Sequence, residues 1–313
     1  MRLKNETETW EFILLGFSNH PRLEPFLFTL FLFIYIVLLL TNLGIISLAT
    51  VDPHLHTPMY FFLQQLAFLN ICYSTAVVPK MLSNLISTKK TISYNLCMAQ
   101  TYIALFLGAA ECLLLAVMAF DRYVAVCHPL RYSKIMDNRT CVKLAAVSWT
   151  ASFLVSVIPL FLTLPPLCKP YIINHVFCEA PVLLHMICTD TSLNELLMLV
   201  GGAGTLMLPF FLILISYGYI IGAIIRIRST EGRRKAFSTC SSHLTVVTIY
   251  YGTGMFMYMR PKSTYSAEND KLISIFYAVI NPMLNPIIYS FRNKEVKASV
   301  KRTIRKNTLT KAY

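Results

Sequence analysis

The most specific chemistry in this sequence lies in Met118–Leu130, which reads Met-Ala-Phe-Asp-Arg-Tyr-Val-Ala-Val-Cys-His-Pro-Leu. An apolar run from Leu96 to Phe120, whose only formal charge is Glu111, ends there in an adjacent acid and base, Asp121 and Arg122. A bilayer core tolerates such a pair poorly, so the pair marks the water boundary of a membrane-length helix. At that boundary a carboxylate can hold a guanidinium by charge-assisted hydrogen bonds until another group displaces it, which is the chemistry of a latch. On a soluble helix the same two residues would read as an indifferent surface ion pair.

Other chemistry is sparse. His54, His56, His128, His175, His185 and His243 are scattered along the chain, so neither a metal centre nor a nucleophile–base constellation forms, and no enzyme or cofactor is expected. The 313 residues are 56% hydrophobic and only 14% charged, where soluble domains carry about a quarter charged residues. A net charge of +13 would suit nucleic acid only if the basic residues formed a patch on a polar domain. Here they lie between long apolar segments and in the tail, which excludes that partner.

Seven segments have the length to cross a core about 30 Å thick. They run from Pro25 to Thr50, Pro58 to Leu82, Cys97 to Val126, Val142 to Leu164, Leu196 to Ile225, Leu244 to Met259 with a polar extension back to Arg233, and Leu272 to Phe291. The expected fold is an all-α membrane protein, a seven-transmembrane helix bundle: residues 1–24 form the N-terminus, 25–291 the bundle and 292–313 the tail. The first two dozen residues lack the pattern of a cleaved signal, so the first helix is expected to direct insertion itself. Basic residues such as Arg131, Lys134, Arg226, Arg233, Lys297 and Arg302 place the tail and the loops after the third and fifth segments in the cytoplasm, and the N-terminus outside. Asn5-Glu6-Thr7 is then a glycosylation sequon on the outer side, whereas Asn138-Arg139-Thr140 lies inside and should stay bare. Cys97, Cys168, Cys178 and Cys188 cluster at the outer face with three pairings open, and the other five cysteines are expected as free thiols. From Asn293 to Lys306 basic residues alternate with Val296, Ala298, Val300 and Ile304, the pattern of a short amphipathic helix on anionic lipid.

Five blocks in order resemble the rhodopsin-like G-protein-coupled receptors, and within them the vertebrate olfactory receptors of the tetrapod-type class. These are Pro58-Met59-Tyr60-Phe61-Phe62-Leu63, Met118–Leu130, Ser216-Tyr217, Lys235–Cys240 with Ser242-His243-Leu244, and Pro282-Met283-Leu284-Asn285-Pro286-Ile287-Ile288-Tyr289. The resemblance implies disulfides Cys97–Cys178 and Cys168–Cys188, a plasma-membrane location, a small volatile odorant as ligand and a stimulatory olfactory-type heterotrimeric G protein that raises cyclic AMP. It also implies a switch of Asp121, Arg122, Tyr123, Tyr217, His243, Asn285, Pro286 and Tyr289, in which Arg122 leaves Asp121 on activation. The chain departs from the pattern at Asn70, where relatives usually carry Asp, and at Thr41-Asn42, where they carry Gly-Asn. Asn70 and Glu111 therefore make a sodium site one acid short. Glu111 is expected to be protonated, to bond Asn70, or simply to tie helices together.

Helical spacing nominates a ligand chamber in the outer half of the bundle. Thr101, Ala104, Leu105, Gly108 and Cys112 share one stripe of the third segment, Gly202 and Thr205 keep the fifth open beside Gly201, and Tyr251, Met255 and Tyr258 recur at i, i+4, i+7 in the sixth. Ala278 is a further candidate in the seventh. No charged residue is expected to face the chamber above Glu111, so the ligand should be neutral, mostly apolar and under about twenty heavy atoms. A transporter would show duplicated halves and a channel a polar stripe along one span; neither pattern is present.

Overall fold

The computed structural model describes residues 11–157, 171–184, 186–188, 192–259, 267–292 and 295–302; within these, the side chains of residues 193–195, 198, 235, 239, 258, 259, 267 and 290–292 are not described. The long helices are α1 (Glu24–Val51), α2 (Pro58–Ile86) and α3 (Tyr94–Cys127), followed after the single turn α4 (Tyr132–Ile135) by α5 (Asn138–Ser152). Beyond the short α6 (Ala180–Leu184) come α7 (Ser192–Gly202), α8 (Leu208–Arg226), α9 (Thr230–Met259), α10 (Ala267–Ile275) and α11 (Asn281–Arg292). Single π-turns, Phe153–Val157, Ala203–Met207 and Phe276–Ile280, extend α5, join α7 to α8 and join α10 to α11.

Composition and local chemistry set the helix starts. Pro25 and Pro58 sit in first turns, where a missing N–H costs nothing. Ser93 accepts from the Leu96 amide at 3.4 Å, and Asp137 accepts from the Thr140 amide at 2.8 Å. Six helical stretches among the described residues are long and apolar enough to cross a membrane, each overlapping an expected segment. The other is α9, whose first half, Thr230–Ser242, is too polar to qualify, although its 30 residues extend about 45 Å. It packs against α3, α8 and α11, completing a ring in which α11 returns to α1 and α3 runs through the middle. Buried Leu66, Leu69, Leu114, Leu115, Met118 and Ile220 form the central core.

The expected all-α bundle is present, with one small sheet added to it. A three-stranded sheet caps one end, with β1 (Glu11–Leu14) between β2 (Thr91–Ser93) and β3 (Ile172–Ile173). β1 pairs antiparallel with β2, Phe12 opposite Ile92, and parallel with β3, Leu14 opposite Ile173. Strand alternation turns Phe12 and Leu14 inward, where with Ile92, Ile173, Val182 and Leu183 they form a second small core around Cys97–Cys178. That disulfide is present, Cys188 is also disulfide-bonded, and Cys72, Cys112, Cys127, Cys141 and Cys240 are free. Cys168 and Asn5 lie outside the described residues.

Candidate functional site

At the end opposite the sheet, Asp121 and Arg122 form the expected pair. Arg122 Nε donates to Asp121 Oδ2 at 2.9 Å and Nη2 donates to the same oxygen, while Tyr132 Oη donates to Asp121 Oδ1 at 2.7 Å. Asp121 is wholly buried and Arg122 nearly so, so each is compensated mainly by the other. Burial and the Asp121 carboxylate push the Tyr132 phenol up, which keeps it a donor. The short helix α4 thus braces the latch, a role no sequence motif announced.

Two expected switch residues, Tyr217 and His243, form a chain beside it with the Leu115 carbonyl. His243 Nε2 lies 3.1 Å from the Leu115 carbonyl, which can only accept, so that nitrogen carries the proton in the neutral ring. Nδ1 then accepts from Tyr217 Oη at 2.8 Å, and the two rings stack. This chain links α8, α9 and α3. Tyr289 is buried, and its hydroxyl has no hydrogen-bond partner among the described residues. Tyr123 bonds His128 at 3.1 Å and packs on Tyr219, away from Arg122.

Deeper in the bundle, Asn285 Nδ2, on the residue just before Pro286 inside α11, donates to Glu111 Oε1 at 3.1 Å. A bond from Asn70 to Glu111 is therefore not the arrangement found: Asn70 Nδ2 donates to Asn42 Oδ1 at 3.3 Å, and Asn42 in turn donates to the Pro282 carbonyl at 3.0 Å. Asn42 matters because the helix near Pro282 and Pro286 has carbonyls that no backbone amide answers. No group of three or more metal-ligating side chains occurs among the described residues.

The chamber residues are brought to the expected helices, with their polar atoms largely engaged. Tyr250 Oη donates to the Gly108 carbonyl at 2.7 Å and Tyr251 Oη to the Cys112 carbonyl at 3.0 Å, so α9 grips α3 through two phenols. Tyr251 and Ala278 are fully buried, Thr101 is buried with its hydroxyl on the Cys97 carbonyl, and Ala104, Leu105, Gly108, Gly202 and Met255 are half-buried. Thr205 Oγ1 donates to the Gly201 carbonyl at 2.7 Å, which leaves its oxygen able to accept. A Cβ at Gly201 would stand 3.7 Å from the Val155 carbonyl, whereas one at Gly202 would meet nothing within 4 Å. The Tyr258 side chain lies outside the described residues.

A buried acid lies beside the cap disulfide. Glu179, one residue beyond the disulfide at Cys178, is 2% exposed. It accepts from Ser274 Oγ at 3.2 Å and from Tyr277 Oη, and His175 Nε2 lies 3.2 Å from its Oε1. This acid ties the loop after Cys178 to α10 and the π-turn that follows it. Sequence spacing gave no sign of it beyond its place after Cys178. Glu179→Leu is expected to leave two hydroxyls, those of Ser274 and Tyr277, without their acceptor and to cost about 1–3 kcal/mol for each group stranded. Glu179→Gln keeps an accepting oxygen and should cost less. Melting of the two purified variants in detergent checks this; equal midpoints would refute it.

Taken together, the ring of apolar helices, the acid–base pair at one end and the disulfide-pinned cap at the other define a multi-pass membrane helix bundle. The olfactory receptor family model matches residues 31–307. The chain is 50% identical over 305 residues to human olfactory receptor 2G3, covering 97% of this chain and 99% of that one. It is 51% identical over 310 residues to human olfactory receptor 2B2, covering 99% and 87%, and 50% identical over 312 residues to mouse olfactory receptor 2B6, covering 99% and 100%. The chain belongs to the olfactory receptor family, whose members are G-protein-coupled receptors and not enzymes.

Proposed function

We propose that this protein is an odorant receptor of the plasma membrane, with its N-terminus outside, that binds a small neutral ligand in the sheet-side half of the bundle and activates a stimulatory olfactory-type G protein from the latch side, raising cyclic AMP. The observation that carries this is the closed Asp121–Arg122 pair beside the Tyr217–His243–Leu115 chain, in a protein that belongs to a receptor family. Ligand binding favours the arrangement in which Arg122 is released, by the difference in its affinity for the two states. Thr101, Ala104, Leu105, Gly108, Cys112, Gly202, Thr205, Tyr251, Met255, Tyr258 and Ala278 contribute the ligand-facing surface. Glycosylation at Asn5 and a Cys168–Cys188 bridge belong to the same reading, as does contact of the tail helix with lipid.

The chemistry of the walls sets the ligand class. Tyr250, Tyr251 and Thr101 have committed their protons to backbone carbonyls, and Glu179 is already partnered. Thr205 offers an acceptor, so a neutral molecule with an apolar body and one O–H or N–H donor fits best. An alkylammonium or carboxylate ion would be desolvated without a counter-charge of its own. A cyclic-AMP reporter screen with a diverse volatile panel, in cells whose N-terminal tag is stained without permeabilisation, tests the reading. The expected agonists are neutral, and Tyr258→Ala should reorder their ranking. An ion as best agonist, an unchanged ranking, or a tag seen only after permeabilisation would overturn it.

A further inference from the structure

The loop after α1 and the C-terminal helix, residues 295–302, meet through one carboxylate with two tasks. Asp52 Oδ1 accepts from the His54 amide at 3.1 Å and lies 2.9 Å from His54 Nδ1, capping the 3-10 turn Pro53–Leu55. Asp52 Oδ2 accepts from Arg302 Nε at 3.1 Å and Nη2 at 2.6 Å, across 250 residues of chain. An exposed ion pair would contribute little. Here the Asp52 side chain is 8% exposed and the guanidinium engages one oxygen through two donors.

The rest of the helix points the same way. Val296 and Ser299 are buried on the face that carries Arg302, whereas Glu295, Lys297, Val300 and Lys301 are exposed. Tyr60 Oη donates to Glu295 Oε2 at 3.4 Å. The Ser299 hydroxyl and the Arg302 guanidinium hold the Asp52 carboxyl well below the usual carboxylate range, so it stays an acceptor at neutral pH. Isolated helices under about twelve residues are marginal in water, so the eight described here depend on what they dock against.

We propose that Asp52 is a positioning residue for transducer engagement: by anchoring Arg302 it docks helix 295–302 against the Pro53–Leu55 turn and completes the surface on which a G protein closes. This rests on the receptor reading above. Asp52→Asn keeps a cap oxygen at Oδ1 but turns an amino group toward Arg302. The full-length receptor carrying it should exchange amide hydrogens in residues 295–302 about tenfold faster. Its maximal cyclic-AMP signal per surface receptor should fall about threefold with ligand ranking unchanged, and Arg302→Glu should act alike. The double variant Asp52→Asn with Arg302→Glu restores a donor–acceptor pair and should recover both readouts, which a merely local defect in the turn would not allow. Unchanged exchange in Asp52→Asn, absence of rescue, or full signalling from an undocked helix would each overturn the proposal. Should the wild-type protein give no ligand-evoked signal, the receptor reading fails instead, and exchange alone still decides the docking.

Discussion

Replacing Arg122 with alanine is expected to abolish the agonist-evoked cyclic-AMP response, with the signal per surface receptor falling at least about tenfold. The guanidinium is the only strong cation among the described residues that meets Asp121, through Nε at 2.9 Å and a second bond from Nη2. It is the group the proposed mechanism delivers to the transducer. Its loss has a second cost, because Asp121 is fully buried and would keep only the Tyr132 hydroxyl. Breaking a buried ion pair from one side costs roughly 3–5 kcal/mol, so total expression should drop too. Arg122→Lys separates the two effects: it restores charge but not the planar fork, so surface expression should recover further than signalling. Asp121→Asn should act in the opposite direction and raise basal cyclic AMP, since it removes the charge that holds Arg122 back. Normalising each response to surface staining makes the comparison, and equal responses in all four proteins would refute the latch.

Serine at Cys97, at Cys178, or at both should destabilise the receptor by a similar amount each time, about 2–5 kcal/mol, because either change opens the same bridge. The bridge joins residues 81 apart, fastening the loop that carries Phe177 and Glu179 to the start of α3. Two further ties converge there: the Cys178 amide donates to Gln100 Oε1 at 2.8 Å, and Gln100 Nε2 donates to the Ala76 carbonyl at 2.8 Å. With the bridge gone, those polar contacts and the packing of Phe12, Leu14 and Ile92 would have to order the cap unaided. The effect should appear as a lower melting temperature in detergent and as weak ligand responses, with the latch chemistry untouched. A double variant that melts with the wild type would show that the cap is held by its core and not by its disulfide.

The helices were legible in the sequence because crossing a membrane is a demand on local composition: an apolar run of sufficient length and flanking basic residues need no knowledge of the rest of the chain. The starts at Pro25 and Pro58, the latch at Asp121–Arg122 and the five free cysteines could all be read this way. What the sequence could not supply is which residues meet. β1 is four residues long and pairs with strands about 80 and 160 positions away, so nothing local announced the sheet. Glu111 and Asn70 were natural partners by polarity and depth, yet the rotation of α3 and α11 about their axes turns Glu111 toward Asn285. Nothing local to Glu179 announces that the Cys178 bridge folds it inward against Tyr277. Composition and period thus determined what this chain inserts into and where its helices run. Rotation, register and loop burial depend on contacts between distant segments, and only the tertiary structure decided them.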